Sequence, residues 1–533
     1  MRRLASVIAA FALVACANPD VARLDAAETT LADYLDAAGA VDLLDSGVRD
    51  SFDGASLETW RTRYAANEAA LRAAIEGIED ERLSAQDRRR LASMRAALAL
   101  RTEVEGEARC EDAAATSSGP ALRAALYACF DSLGDAIAYR GEPVGRVQAL
   151  TLLDTLESSA ERRAVFEAMA PLARAIHPGG AASAYVRMVR IENARMRANI
   201  DAALQTIGLD AEAGEAWLER ALELWSRTLP YASAEPWDFR YLMRGAVDPA
   251  LATCASAAAQ IDANARFYRD LGADLDSLGV IIDADSEAPV AYADFVRLGR
   301  EIDGRWRPAV AWTTLEMADG GPDAAALLVH ETGHTAHYAA MRARPSLTLP
   351  EDLTLVLEST ADITAWSVWA PAWQEKYVGC AFPEDASLRA RLAPIMMDMA
   401  WGLFEMRMAR APDAEPNLVW GEIMQRYFRV RRHDEFAWWA ARGQLVEEPG
   451  YMVNYALGAF VTADLRAQIR QAIGDFDAGN TRWYAYVSRE LYARGGEDPP
   501  HVLLRRFLGR DVRPDAFLAE LERLGALSAL EGQ

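Results

Sequence analysis

Apolar residues recur at three- and four-residue intervals over most of this chain, which is the spacing of one buried helical face. "SLETWRTRYAANEAALRAAIEGIE" and "LSAQDRRRLASMRAALALR" show it clearly within residues 28–110, with strong helix formers between the apolar positions and Ser84 placed to cap the second. The same periodicity predicts helices over 147–176, 183–203 and 211–228. Breaks fall at "HPGG" (177–180), around Leu229–Asp238, and at "ADGGPD" (318–323). Strand-like runs are few; "LGVIIDA" (278–284) and "PAVAWTTLE" (308–316) are the best. From 323 to the end the pattern is again helical. The expected class is mostly α with a small β-sheet.

Composition narrows the picture. The chain has 533 residues, 51% hydrophobic and 25% charged, with a net charge of −23. That is a globular composition whose surface repels phosphate backbones, so nucleic acid is excluded as a partner. The first twenty residues, "MRRLASVIAAFALVACANPD", carry two arginines and an apolar run too short to span a bilayer. Leu13-Val14-Ala15-Cys16 resembles a bacterial lipoprotein cleavage box. It implies removal of residues 1–15, acylation of Cys16, and attachment to a bacterial envelope membrane, with the outer membrane and a periplasmic face expected. Residues 16–27 then read as a tether and 28–533 as a single helical domain. Export also suggests that Cys110, Cys129, Cys254 and Cys380 form two disulfides. Cys110 and Cys129 flank a short loop-like stretch and are the expected pair, leaving Cys254 with Cys380.

The chemistry concentrates in "AALLVHETGHTAHYAAM" (325–341), which holds three of the six histidines. His330 and His334 are one helical turn apart on the same face, the spacing that lets two imidazoles ligate one Zn²⁺. Glu331 lies beside them, placed to take a proton from a zinc-bound water. A catalytic zinc needs a third protein ligand. Glu358, 24 residues beyond His334, opens a helical pattern in "EDLTLVLESTADITAWSVWA" and is the expected third ligand. Asp362 follows one turn later, where it would accept the free ring N–H of a ligand histidine and fix its tautomer.

These residues resemble the thimet oligopeptidase and oligoendopeptidase F family of zinc peptidases. The resemblance rests on H-E-x-G-H-x-x-H with Gly333 and His337, on "EPWDFRYL" (235–242), and on "PGYMVNYALGAF" (449–460). The angiotensin-converting-enzyme family is a near relative in architecture, and its Glu-x-x-x-Asp matches Glu358 and Asp362. The resemblance implies a two-lobed helical shell, a catalytic part at about 300–470, and one zinc per chain. It places Tyr451 and Tyr455 as donors to the oxyanion and His337 behind the ligands. It also implies that an edge strand at "PAVAWTTLE" pairs with substrate backbone. The sequence departs from the family pattern before Tyr451, where "QLVEEPGY" lacks a histidine, and at Gly458, which stands where the family has a third tyrosine. His433 is the candidate to substitute in space. The implied function is a zinc-dependent oligopeptidase acting on short peptides in the bacterial cell envelope. A dipeptidyl carboxypeptidase of the same fold and a catalytically inactive peptide-binding lipoprotein are its alternatives.

Overall fold

The computed structural model describes residues 18–99, 118–180, 183–244, 256–284, 291–317 and 321–531. The expected leader and Cys16 lie outside these residues, as do Cys110 and Cys254. Cys129 is disulfide-bonded, and Cys380 is half-buried in the turn after helix Pro371–Tyr377.

Among the described residues the architecture is mostly α, with three small sheets of which the largest has three strands. Among the described residues no helix is long and apolar enough to cross a membrane. The first helix runs Pro19–Asp45, with Asn18 accepting the Asp20 N–H and proline in its first turn. Residues 19–27, expected as a tether, are therefore its opening turns. Leu24 and Ala27 are fully buried there, packed with Leu71 and Ile75 of helix Leu57–Ile75. The long helical runs expected at 147–176 and 183–203 are each divided. Ser158 caps a fresh helix at Ser159–Ala168, and the second run breaks at Glu192 before helix Asn193–Thr206.

The three-stranded sheet overturns one expectation. Val310–Thr314 is its middle strand, parallel to Val280–Asp283 and antiparallel to Tyr292–Arg297. Four of its five residues are buried, and Trp312 is completely so. "PAVAWTTLE" is thus no edge available to a peptide: both of its ladders are already used. The edge beside the metal-motif helix is Tyr292–Arg297, which went unrecognised because "YADFVR" alternates only weakly. The first helix covers part of that edge. Asp36 accepts the Leu298 N–H at 2.8 Å. Gly39 lets the helix approach so closely that a Cβ there would lie 1.9 Å from the Phe295 carbonyl oxygen.

Three helices build the core around the site. The metal-motif helix Gly321–Ala340 packs on Thr354–Ala365, which in turn packs on Met452–Ile473. Gly333 makes the first contact possible, since its absent Cβ would meet Ala361 O at 2.9 Å and Ala361 Cα at 3.0 Å. Phe295 stacks on Tyr338 with ring centroids 4.5 Å apart, joining sheet to metal-motif helix. Buried Arg466 donates to Ile363 O and, at 2.5 Å, to Asp477, which also accepts from Ser367 Oγ at 2.8 Å. This ties the end of Thr354–Ala365 to Met452–Ile473.

Candidate metal centre

His330 and His334 project from one face of their helix, as their spacing requires. Their Nε2 atoms stand 3.2 Å apart. Glu358 Oε2 lies 3.5 Å from His330 Nε2 and 4.0 Å from His334 Nε2. All three donor atoms fall within 4.8 Å of one another. Two nitrogens each about 2.0–2.1 Å from one tetrahedral ion would be separated by roughly 3.3 Å, so the donor set and its spacing fit zinc. The expected ligand trio is brought together by local helix geometry and one helix–helix contact.

His330 Nδ1 lies 2.8 Å from Asp362 Oδ1. An ionised carboxylate only accepts, so Nδ1 carries a proton; Nε2, protonated while the ring is charged, presents its lone pair to the cluster once that second proton leaves. His334 Nδ1 is buried with no hydrogen-bond partner among the described residues. Burial and the His330 charge push His334 down to about 4. Burial also opposes the charged form of His330, but Asp362 and Glu358 outweigh it and hold that ring well above its ordinary range. His334 is therefore a neutral donor at ordinary pH.

Glu331 is 6% exposed on the same helix. Burial is the main cause that raises its carboxyl to about 7, with Glu358 and Asp362 adding to it and His330 opposing.

Tyr451 and Tyr455 bracket the first turn of Met452–Ile473, their rings edge-to-face at 5.4 Å. Burial, then the Glu358 carboxylate, pushes Tyr451 up to about 12 and Tyr455 higher still. Both phenols are donors at neutral pH and both sit in the field of the third candidate ligand. Arg442 lies 5.3 Å from the Tyr455 ring and 3.3 Å from Asp398. Gly458, at the family's third tyrosine, faces Ser359 on the Glu358 helix, where a Cβ would come within 3.4 Å of Ser359 Oγ. The position serves helix packing.

Two histidines stand apart from the cluster. His337 binds Thr360 Oγ1 through Nδ1 at 3.0 Å and stacks on Tyr492 at 4.1 Å, and burial lowers it to about 3. It wedges the two metal-bearing helices. His433 does not substitute for the missing histidine: its ring nitrogens are engaged by Glu435 at 3.0 Å and Glu235 at 2.9 Å. In "EPWDFRYL", Asp238 accepts from Arg162 at 2.7 Å and the Trp237 ring meets His433, so that motif is engaged in packing and ion pairing of its own.

One residue escaped the sequence. Glu405, on helix Glu384–Arg410, is fully buried and accepts the Gly450 N–H at 2.7 Å and the Met452 N–H at 2.8 Å. Burial pushes it up to about 8 while those two bonds pull it back. Its only signal is a lone acid inside the apolar run "WGLFEM".

No protein-family model and no curated protein matches the chain. Solved structures do. An M32 carboxypeptidase from Deinococcus radiodurans R1 aligns with 96% of this chain and 100% of its own, at 15% identity and a TM-score of 0.52. Metallocarboxypeptidase 1 of Trypanosoma cruzi aligns with 95% and 99%, at 14% identity and 0.52. PZ peptidase A, solved with an inhibitor, aligns with 96% and 97%, at 12% identity and 0.56. The fold is shared with these peptidases. At such identities the likeness speaks for the fold and leaves the chemistry to the residues themselves.

Proposed function

We propose that this chain is a zinc-dependent metallopeptidase that hydrolyses short peptides. The observation that carries this reading is the His330–His334–Glu358 cluster with Glu331 beside it. His330, His334 and Glu358 would hold a zinc ion, which would supply Lewis acidity toward a scissile carbonyl and an attacking water. Glu331, beside the cluster, would take the proton of that water and deliver it to the leaving amine nitrogen. Tyr451 and Tyr455 would donate hydrogen bonds, keeping their protons, to the oxygen on which charge develops, at no cost in burying a further charge. Asp362 keeps His330 in the tautomer that presents Nε2.

The oligoendopeptidase mode follows from the sequence resemblance. A carboxypeptidase mode needs a cation for the terminal carboxylate, and Arg442, beside Tyr455 and paired with Asp398 at 3.3 Å, is the candidate. Two of the similar structures are carboxypeptidases. Peptides with free and amidated C-termini separate the two modes, since only an endopeptidase cleaves both equally. The lipid-anchored envelope location rests on Leu13–Cys16 alone, and loss of fatty-acid labelling in Cys16→Ala tests it.

The deciding experiment measures zinc content and hydrolysis of a quenched fluorogenic peptide for wild type, Glu331→Gln and Glu358→Ala. One zinc per wild-type chain is expected. Glu331→Gln should keep the metal and lose activity, and Glu358→Ala should lose both. Full activity in Glu331→Gln would sink the mechanism. A zinc-loaded wild type that binds peptides without cleaving them would identify a silent peptide-binding protein instead.

A further inference from the structure

We propose that Glu405 is a positioning residue for Tyr451: its carboxylate grips the backbone N–H groups on either side of that tyrosine and so sets where the phenol stands beside the metal cluster. The inference rests on the reading of Tyr451 as an oxyanion donor. Oε1 accepts from Gly450 N and Oε2 from Met452 N, so residue 451 is held at both of its peptide neighbours by one rigid group.

The same turn is pinned from the other side. Gly450 has φ of 90°, and a Cβ there would lie 2.5 Å from Met196 O. Asn199 donates to Pro449 O at 2.9 Å, and the Tyr451 N–H donates to Glu448 O at 3.0 Å. The backbone of residues 449–452 thus has no slack, and the Tyr451 side chain inherits its direction.

An ordinary helix cap would account for part of this. Met452 opens its helix, and a carboxylate at a helix start satisfies a free N–H. Capping alone needs neither a second bond to Gly450 nor full burial of the acid. Asp398 lies seven residues earlier on the same helix, two turns away, and holds Arg442 against the Tyr455 ring. One helix, Glu384–Arg410, therefore frames both phenols, Tyr451 through its backbone and Tyr455 through a guanidinium.

The test is a double-mutant cycle on the zinc-loaded full chain, using wild type, Glu405→Gln, Tyr451→Phe and the double variant. The glutamine keeps one acceptor but aims an amide N–H at the other backbone donor. Two readouts are taken: turnover of a quenched peptide, and calorimetric binding of a phosphinic peptide whose tetrahedral oxygens mimic the developing oxyanion. Glu405→Gln should lower kcat roughly ten- to a hundredfold with KM and zinc content unchanged, the scale of a displacement of about 1 Å. It should weaken phosphinate binding in parallel. In the Tyr451→Phe background the same substitution should cost less than about threefold, because the group it aims is gone. Equal losses in both backgrounds would overturn the proposal and leave Glu405 a cap. Glu405→Asp, which keeps the carboxyl group but shortens the reach, repeats the cycle if the glutamine variant fails to fold. A zinc-loaded wild type that neither cleaves nor binds would sink the peptidase reading itself, a result distinct from an additive cycle.

Discussion

His330 Nδ1 and Asp362 Oδ1, 2.8 Å apart, join the metal-motif helix to the helix that carries Glu358. Through this contact the third candidate ligand and the tautomer of the first are set together. Asp362→Ala frees the His330 ring to rotate and to move its proton to Nε2. Zinc affinity should fall roughly ten- to a hundredfold, read by competition with a chromogenic chelator. Unchanged affinity would mean that Asp362 is only a neighbour.

Gly333 faces Ala361 backbone, not the soft end of a side chain. Alanine favours a helix interior by about 1 kcal/mol, but forcing two helices apart costs about 1–3 kcal/mol. The clash should win. Gly333→Ala is expected to melt several degrees below wild type and to hold zinc less tightly. A variant as stable as wild type would show that the two helices part without strain.

The two phenols differ in attachment. Tyr451 hangs on a backbone gripped by Glu405, and Tyr455 leans on Arg442. Removing an oxyanion donor costs about a hundredfold or more in kcat. Tyr451→Phe or Tyr455→Phe should show that loss with little change in KM, and steady-state kinetics on both variants would identify the donor. Wild-type kcat in both would remove the tyrosines from the mechanism.

Asp477 gives a stability signature in acid. Burial opposes its charge, but Arg466 and Arg470 lower it from 3.8 to about 2. The folded value lies below the unfolded one, so this stabilisation is complete above about pH 5 and is lost as pH falls through about 2. The full contribution is about 2 kcal/mol, of which about 1 kcal/mol should be gone by pH 3. The urea stability gap between wild type and Asp477→Asn should narrow by that amount from pH 5 to pH 3. A gap independent of pH would show that the arginines do not hold the carboxylate charged.

The candidate ligands were legible in the sequence because each is fixed locally. His330 and His334 need only a helix, and Glu358 and Asp362 only a second helix returning within a short loop. The place of Val310–Thr314 in its sheet was not legible, since strand order depends on pairing between distant segments and the partner Tyr292–Arg297 carries a weak alternation. The division of the helices near 158 and 192 was hidden because apolar spacing continues through both breaks. Glu405 was invisible for a different reason. Its partners are main-chain N–H groups, which leave no mark on the residues at 450 and 452 beyond the glycine itself.

The close seat of the first helix on strand Tyr292–Arg297 has a further consequence. An unsealed strand edge is a template onto which another chain can add, the route to domain swapping and fibrous assembly. Here Asp36 occupies the Leu298 N–H, and the Gly39 approach shuts off the Phe295 carbonyl. Residues 19–45 therefore cover part of an edge onto which another strand could add. Removing this helix would leave every candidate ligand in place and still uncover a strand edge.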